Sequence, residues 1–327
     1  MVWAAGTARA ARKIATAAAL GGGGLTALGA TAYALLMAES LLARKIIGRP
    51  HGMEGPPSDG VYGDFPGTPV SMALLGDSLS VGLGMTDPAG TPGVLLANGL
   101  ASVAERPVRL RVVGKSGASS AELADQVDRA LKAEPQLAVI FVGTNDVTTQ
   151  TPPAVAVRHL SKAVRRLREA GAEVVVGTCP DLGTVRPIAQ PLRWVTRRWS
   201  RQLAAAQTVA VVDAGGRTVS FADVLGPDFA TNPGEMFGPD RFHPSARGYA
   251  QAAYAVLPSV CAALGLWPEP RPARGEGLQP IYLAAATAAE EPGTEVSATT
   301  VAGRATGLHG KWATLFRRRL GASPNDA

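Results

Sequence analysis

The sequence predicts a doubly wound α/β domain built on a five-stranded parallel sheet. Three observations point there. Short apolar runs recur along the middle of the chain, stretches with helical periodicity separate them, and the runs apart from Val108–Val113 show no regular apolar–polar alternation. Continuous apolar runs mark strands buried on both faces, and helices between them supply the cover.

The chain has 327 residues, enough for one sizeable domain with appendages. At the N-terminus Arg9, Arg12 and Lys13 precede Ile14–Ala38, a stretch without charge. Roughly twenty apolar residues suffice to cross a bilayer as a helix. Residues 1–50 therefore predict a membrane anchor, or a secretion signal cut near Ala30-Thr31-Ala32, with the domain on the extracytoplasmic side. Residues 51–69, rich in Gly, Pro and Asp, read as a linker.

The domain is expected over residues 70–267. Its strands are predicted at Val70–Leu75, Val108–Val113, Leu137–Val142, Glu173–Thr178 and Val209–Val212. Helical patterns lie at Pro92–Glu105, Ser120–Ala133, Pro152–Ala170, Gln190–Gln207 and Pro244–Leu264. Five such strands suit a flavodoxin-like order, in which a site forms at the carboxyl ends of the strands. The fourth helix carries Trp194 and Trp199 with Arg193, Arg197, Arg198 and Arg201, a pattern for an amphipathic cover over the sheet. From Pro268 to Ala327 Pro, Gly, Ala, Thr and Glu dominate, which predicts a low-complexity, disordered tail. Within it Lys311–Leu320 is a short basic amphipathic segment of the kind that touches an acidic membrane surface.

The formal charge is +6, but no basic stripe interleaved with aromatics accompanies it, so nucleic acid is not an expected partner. Two cysteines, Cys179 and Cys261, give neither a disulfide framework nor a zinc motif. Their predicted places, a strand end and the far end of the last helix, lie roughly 20–25 Å apart, beyond the about 7 Å that a disulfide spans between α-carbons. Four histidines occur, His51, His159, His243 and His309. That scarcity narrows the search for a catalytic base.

Gly76-Asp77-Ser78-Leu79 follows the first strand, which puts a serine at its carboxyl end. Gly114-Lys115-Ser116-Gly117-Ala118-Ser119 follows the second, and Gly143-Thr144-Asn145-Asp146 the third. Each block alone is explained as well by turn or helix-cap chemistry. Together they aim a nucleophile, a glycine amide and a carboxamide at one edge. Asp240-Arg241-Phe242-His243-Pro244 opens the last helix. An Asp three residues before a His reaches its imidazole across one turn and orients it. His51 lies in the linker, His159 inside a helix and His309 in the tail, so His243 alone is placed to meet Ser78.

These four blocks in this order resemble the SGNH, or GDSL-type, hydrolase family over residues 70–266. The resemblance implies the SGNH hydrolase fold and a serine esterase acting on carboxylic esters, acetyl or short-chain ones by preference. It makes Ser78 the nucleophile, His243 the base and Asp240 its orienting carboxylate. The oxyanion hole falls to Ser78, Gly117 and Asn145, with Val113 standing where the family often has Asn. It implies no cofactor or metal. The same residues serve acyl transfer to another alcohol, and an SGNH-like module that only binds envelope glycans or lipids is the non-enzymatic rival.

Overall fold

The computed structural model describes residues 23–47, 55–221, 229, 231–267, 277–291, 294–301, 303–304, 306–307 and 310–317. Five parallel strands form its centre: β2 (Val70–Gly76), β3 (Val108–Val112), β4 (Leu137–Phe141), β5 (Glu173–Gly177) and β6 (Arg217–Val219). Their order is β3-β2-β4-β5-β6, so the chain reverses its winding direction beside β2. Successive residues of β2 point to opposite faces. Met72 and Leu74 pack beneath α2 (Pro92–Ala104) and α8 (Ala246–Ala263), and Ala73 and Leu75 beneath α3 (Leu123–Leu131) and α5 (Pro153–Glu169). All four are essentially inaccessible, which is why β2 is apolar on both faces here, whereas β3 alternates buried Val108 and Leu110 with exposed Arg109 and Arg111.

The sheet is larger and more mixed than predicted. The supposed linker contributes β1 (Gly60–Tyr62), antiparallel to β3. Beyond β6 the sheet continues antiparallel through β8 (Thr294–Ala298), β10 (Gly310–Arg317) and β7 (Leu278–Pro280), and β9 (Thr306–Gly307) pairs with β10. Helix α9 (Ile281–Ala288) covers this edge through Ile281, Ala284 and Ala288. The described parts of the expected disordered tail therefore include four strands and helix α9. Its basic segment is largely strand β10, where Lys311 Nζ meets Asp213 Oδ1 at 2.9 Å; residues 318–320 lie outside the described residues.

The predicted fifth strand, Val209–Val212, is instead the last turn of α6 (Leu192–Asp213). Its valines complete a buried stripe through Ser200, Leu203, Ala204, Gln207, Thr208, Val211 and Val212, spaced for a helix face. A run of four apolar residues fits either element, and the preceding stripe decides for helix. The true fifth strand is three residues long and begins after Gly215-Gly216.

The expected membrane segment is only partly described. Residues 14–22 lie outside the described residues, and from Gly23 the stretch belongs to α1 (Gly23–Ile47), which runs on through Glu39, Arg44 and Lys45. Among the described residues no helix is long and apolar enough to cross a membrane. Helix α1 instead lies against α6, where the buried Glu39 carboxylate accepts the N–H of Leu192 at 2.8 Å. Leu192 opens α6, and Pro191 before it supplies no side-chain cap, so Glu39 satisfies one of that helix's open amides from a distance of 153 residues.

Candidate active site

Strand β2 ends at Gly76, and the reason is steric. Its φ is +128°, and a Cβ there would lie 1.8 Å from the carbonyl oxygen of Phe141 on β4. Only glycine allows that approach. Gln126 of α3 then clamps the same peptide from below, its Oε1 accepting the Gly76 N–H at 2.6 Å and its Nε2 donating to the Gly76 carbonyl at 2.9 Å. The next turn is closed by Asp77. Its N–H donates to Phe141 O at 2.9 Å, its Oδ1 accepts Leu79 N–H at 2.9 Å, and its carbonyl accepts from Ser80 N and Oγ. Ser78 is thereby left at the strand tip with its hydroxyl in a crevice.

His243 approaches from the loop between α7 (Pro233–Met236) and α8. Arg241 adopts φ +56°, a left-handed turn uncommon outside glycine, between Asp240 and Phe242. The turn is fixed by Gly238 N donating to His243 O at 2.8 Å and Arg241 N to Gly238 O at 2.9 Å. Asp240 Oδ1 accepts the backbone N–H groups of Phe242 and His243, both at 3.0 Å, while Oδ2 meets His243 Nδ1 at 2.6 Å. His243 Nε2 stands 3.1 Å from Ser78 Oγ. Burial acts to raise the pKa of Asp240, but the hydrogen bonds from the His243 ring and the two amides outweigh it and hold the carboxyl below its usual range. The pairing of a part-buried carboxylate, an imidazole and a hydroxyl in series is the arrangement that activates a serine for attack.

The other predicted residues lie at the same edge. Asn145 starts the short helix α4 (Thr144–Thr148), and its Nδ2 donates to Ala118 O at 3.0 Å, joining it to the loop that carries Gly117. Gly117 is exposed with φ +79°. Gly114 packs inward, where a Cβ would lie 2.0 Å from Ser80 Oγ. Asp146, next to Asn145, is buried and accepts Ser120 N–H at 3.1 Å and Ser120 Oγ–H at 2.8 Å, locking the two loops together. Of the other histidines, His159 is an exposed residue of α5, and His51 and His309 lie outside the described residues.

Several supports escape motif analysis. Gln126 was discoverable: it is a polar residue on the buried stripe Leu123, Gln126, Val127, Ala130 of α3. Tyr249, fully buried on α8, donates its hydroxyl to Leu83 O at 2.8 Å and pins the segment after Ser78, which nothing in the local sequence announces. Asp181 accepts from Arg201 Nε at 3.0 Å and pairs with Arg197 Nε at 3.3 Å, fixing the loop whose Pro180 and Leu182 wall the crevice. Asp77 is fully enclosed, and burial pushes its pKa up to about 7 against the opposing hydrogen bond from Leu79 and the charge of His243. Cys179 and Cys261 are both buried and are not joined by a disulfide. Among the described residues no group of His, Cys, Asp and Glu is placed to hold a metal ion.

The family described as GDSL-like Lipase/Acylhydrolase matches residues 74–251. A GDSL-like esterase of Mycobacterium tuberculosis is 40% identical over 253 residues, which span 73% of this chain and 79% of that protein. Among solved structures, an acetylxylan esterase of Geobacillus stearothermophilus aligns over 59% of this chain and 95% of its own, with 20% identity and a TM-score of 0.49. TesA aligns over 59% of this chain and 99% of its own, with 20% identity and a TM-score of 0.48.

Proposed function

The chain belongs to the GDSL-like lipase/acylhydrolase family and is a carboxylic ester hydrolase; from that premise we propose that it cleaves short-chain esters through an acyl-enzyme on Ser78. The observation that carries this is the unbroken series Asp240–His243–Ser78, with contacts of 2.6 and 3.1 Å. Asp240 holds Nδ1–H of the imidazole, which leaves the Nε2 lone pair facing the serine hydroxyl. Ser78 Oγ attacks the ester carbonyl carbon as Nε2 takes its proton. The oxyanion that forms is met by the N–H groups of Ser78 and Gly117 and by Asn145 Nδ2. Gly117 fits this role better than Gly114, which is spent on packing against Ser80. When the intermediate collapses, the bond to the alkoxy oxygen breaks and His243 passes its proton to the leaving alcohol. Water, deprotonated by His243, then releases the acid.

A short acyl group fits the space available. The crevice at Ser78 has a volume of about 40 Å³, closed by Pro180, Leu182 and Phe221. Ser78→Ala and His243→Ala should each lower kcat on the order of 10⁴-fold or more, with the double variant little worse, because residues acting as one unit are not additive. Chromogenic acetate hydrolysis measures this, with thermal melts showing that each variant is folded. Wild-type turnover by folded Ser78→Ala would end the assignment.

A further inference from the structure

A second cavity lies beside the crevice, between α1 and α6. Its volume is about 340 Å³, and it is lined chiefly by apolar side chains, Leu36 and Met37 from one wall and Ile188, Leu192, Val195 and Trp199 from the other. The two spaces are neighbours across one ring. Phe242 lines both, standing edge-on to the His243 imidazole with 5.0 Å between ring centroids. Two further stretches pass from one space to the other. Thr144 lines the crevice and Val147 the cavity, one turn of α4 apart; Val185 lines the crevice and Ile188 the cavity. Helix α1 makes the outer wall, held there by the Glu39 contact to Leu192.

We propose that this cavity binds the hydrocarbon portion of the substrate's alcohol, while the short acyl group occupies the crevice at Ser78. The inference rests on the esterase function with Ser78 as nucleophile. His243 delivers its proton to the leaving oxygen, so the alcohol lies on the imidazole side of the scissile bond. Phe242 adjoins that imidazole, and whatever extends over its ring enters the space between α1 and α6. The small crevice and the larger apolar cavity thus divide the ester into a short acid and an alkyl-bearing alcohol. Helix α1 becomes a specificity element rather than a tether.

Two ester series on the full chain test this. Along alkyl acetates from ethyl to hexyl, kcat/KM should rise by up to about fourfold per added methylene, the value for burying one CH₂. Along ethyl esters from acetate to hexanoate it should fall. Val195→Trp, which fills the cavity from α6, should flatten the alkyl acetate series, so that hexyl acetate loses its advantage over ethyl acetate. Met37→Trp should do the same from α1, and it serves if the first variant melts early. A flat alkyl series in wild-type protein that still hydrolyses ethyl acetate overturns the cavity assignment and leaves the esterase function standing. So does a rise along the ethyl ester series instead, which would place the acyl chain there, or an alkyl slope that survives both folded variants. Failure to hydrolyse any ester would remove the esterase function itself.

Discussion

The strands on the two sides of β6 bury themselves by different means. β2 and β4 do it with Met, Leu, Val, Ile, Ala and Phe, and their side chains need no partners beyond close packing. β8 is as inaccessible, yet it reads Thr-Glu-Val-Ser-Ala. Thr294 and Glu295 have specific partners. Thr294 Oγ1 donates to Glu291 O at 2.8 Å, and Glu295, with no exposed surface, receives Arg217 Nη1 at 3.1 Å and Ser259 Oγ at 2.8 Å. A buried carboxylate of this kind is tolerated only while its partners remain. The parallel half carries Ser78, Gly117 and Asn145 at its strand tips on an apolar base, and the antiparallel half is a polar closure whose stability rests on specific pairs.

The comparison breaks most visibly at Arg217. Arg217→Ala leaves Glu295 enclosed with its principal cation gone, and should cost about 3–5 kcal/mol of stability. Denaturant melts measure the loss, and kcat per folded molecule should be unchanged. A loss below about 1 kcal/mol, the range of an exposed pair, would show that this edge does not depend on the pair.

At the tips of the parallel strands the outcome should be inverted. Asn145→Ala removes one oxyanion donor and should lower kcat by about 10²–10³, with KM little changed and the melting temperature close to wild type. An equal fall in stability and activity would mean that the Asn145 contact to Ala118 is structural first.

The smallest effect is expected from Asp77, an ionisable group inside the apolar half. Its folded pKa of about 7 lies above the ordinary carboxyl value of 3.8, so between these values the folded state holds more protons than the unfolded. Stability contributed by protonated Asp77 is therefore present at low pH and lost as pH rises toward 7, about 2–3 kcal/mol between pH 5 and pH 8. Asp77→Asn keeps an acceptor for Leu79 N–H and removes the titration, so its stability should vary less with pH over that window. Equal pH slopes for wild type and variant would place the Asp77 titration elsewhere.

Four of the five parallel strands, and the blocks that follow the first three, were legible because their information is local. An unbroken apolar run bounded by Gly names a buried strand, and a residue's place at the end of that run names the edge it occupies. The Asp240–His243 spacing likewise carries its own geometry, since three residues across one turn bring a carboxylate to an imidazole.

The remainder depended on partners distant in sequence. Val209–Val212 fits a strand or a helix, and it is helix because the stripe before it already faces the sheet. Thr294–Ser297 looks too polar to be core, and it is buried where Arg217, Ser259 and β6 supply matching groups. Helix α1 reads as an apolar run, and only the fold shows that its Glu39 caps α6. The sequence by itself determined the types and order of Ser78, Asp240 and His243 and the sheet edge they share. Only the tertiary structure decided where the polar segments pack, because the cost of burying a polar group depends on the partner it finds, and that partner is chosen by the fold.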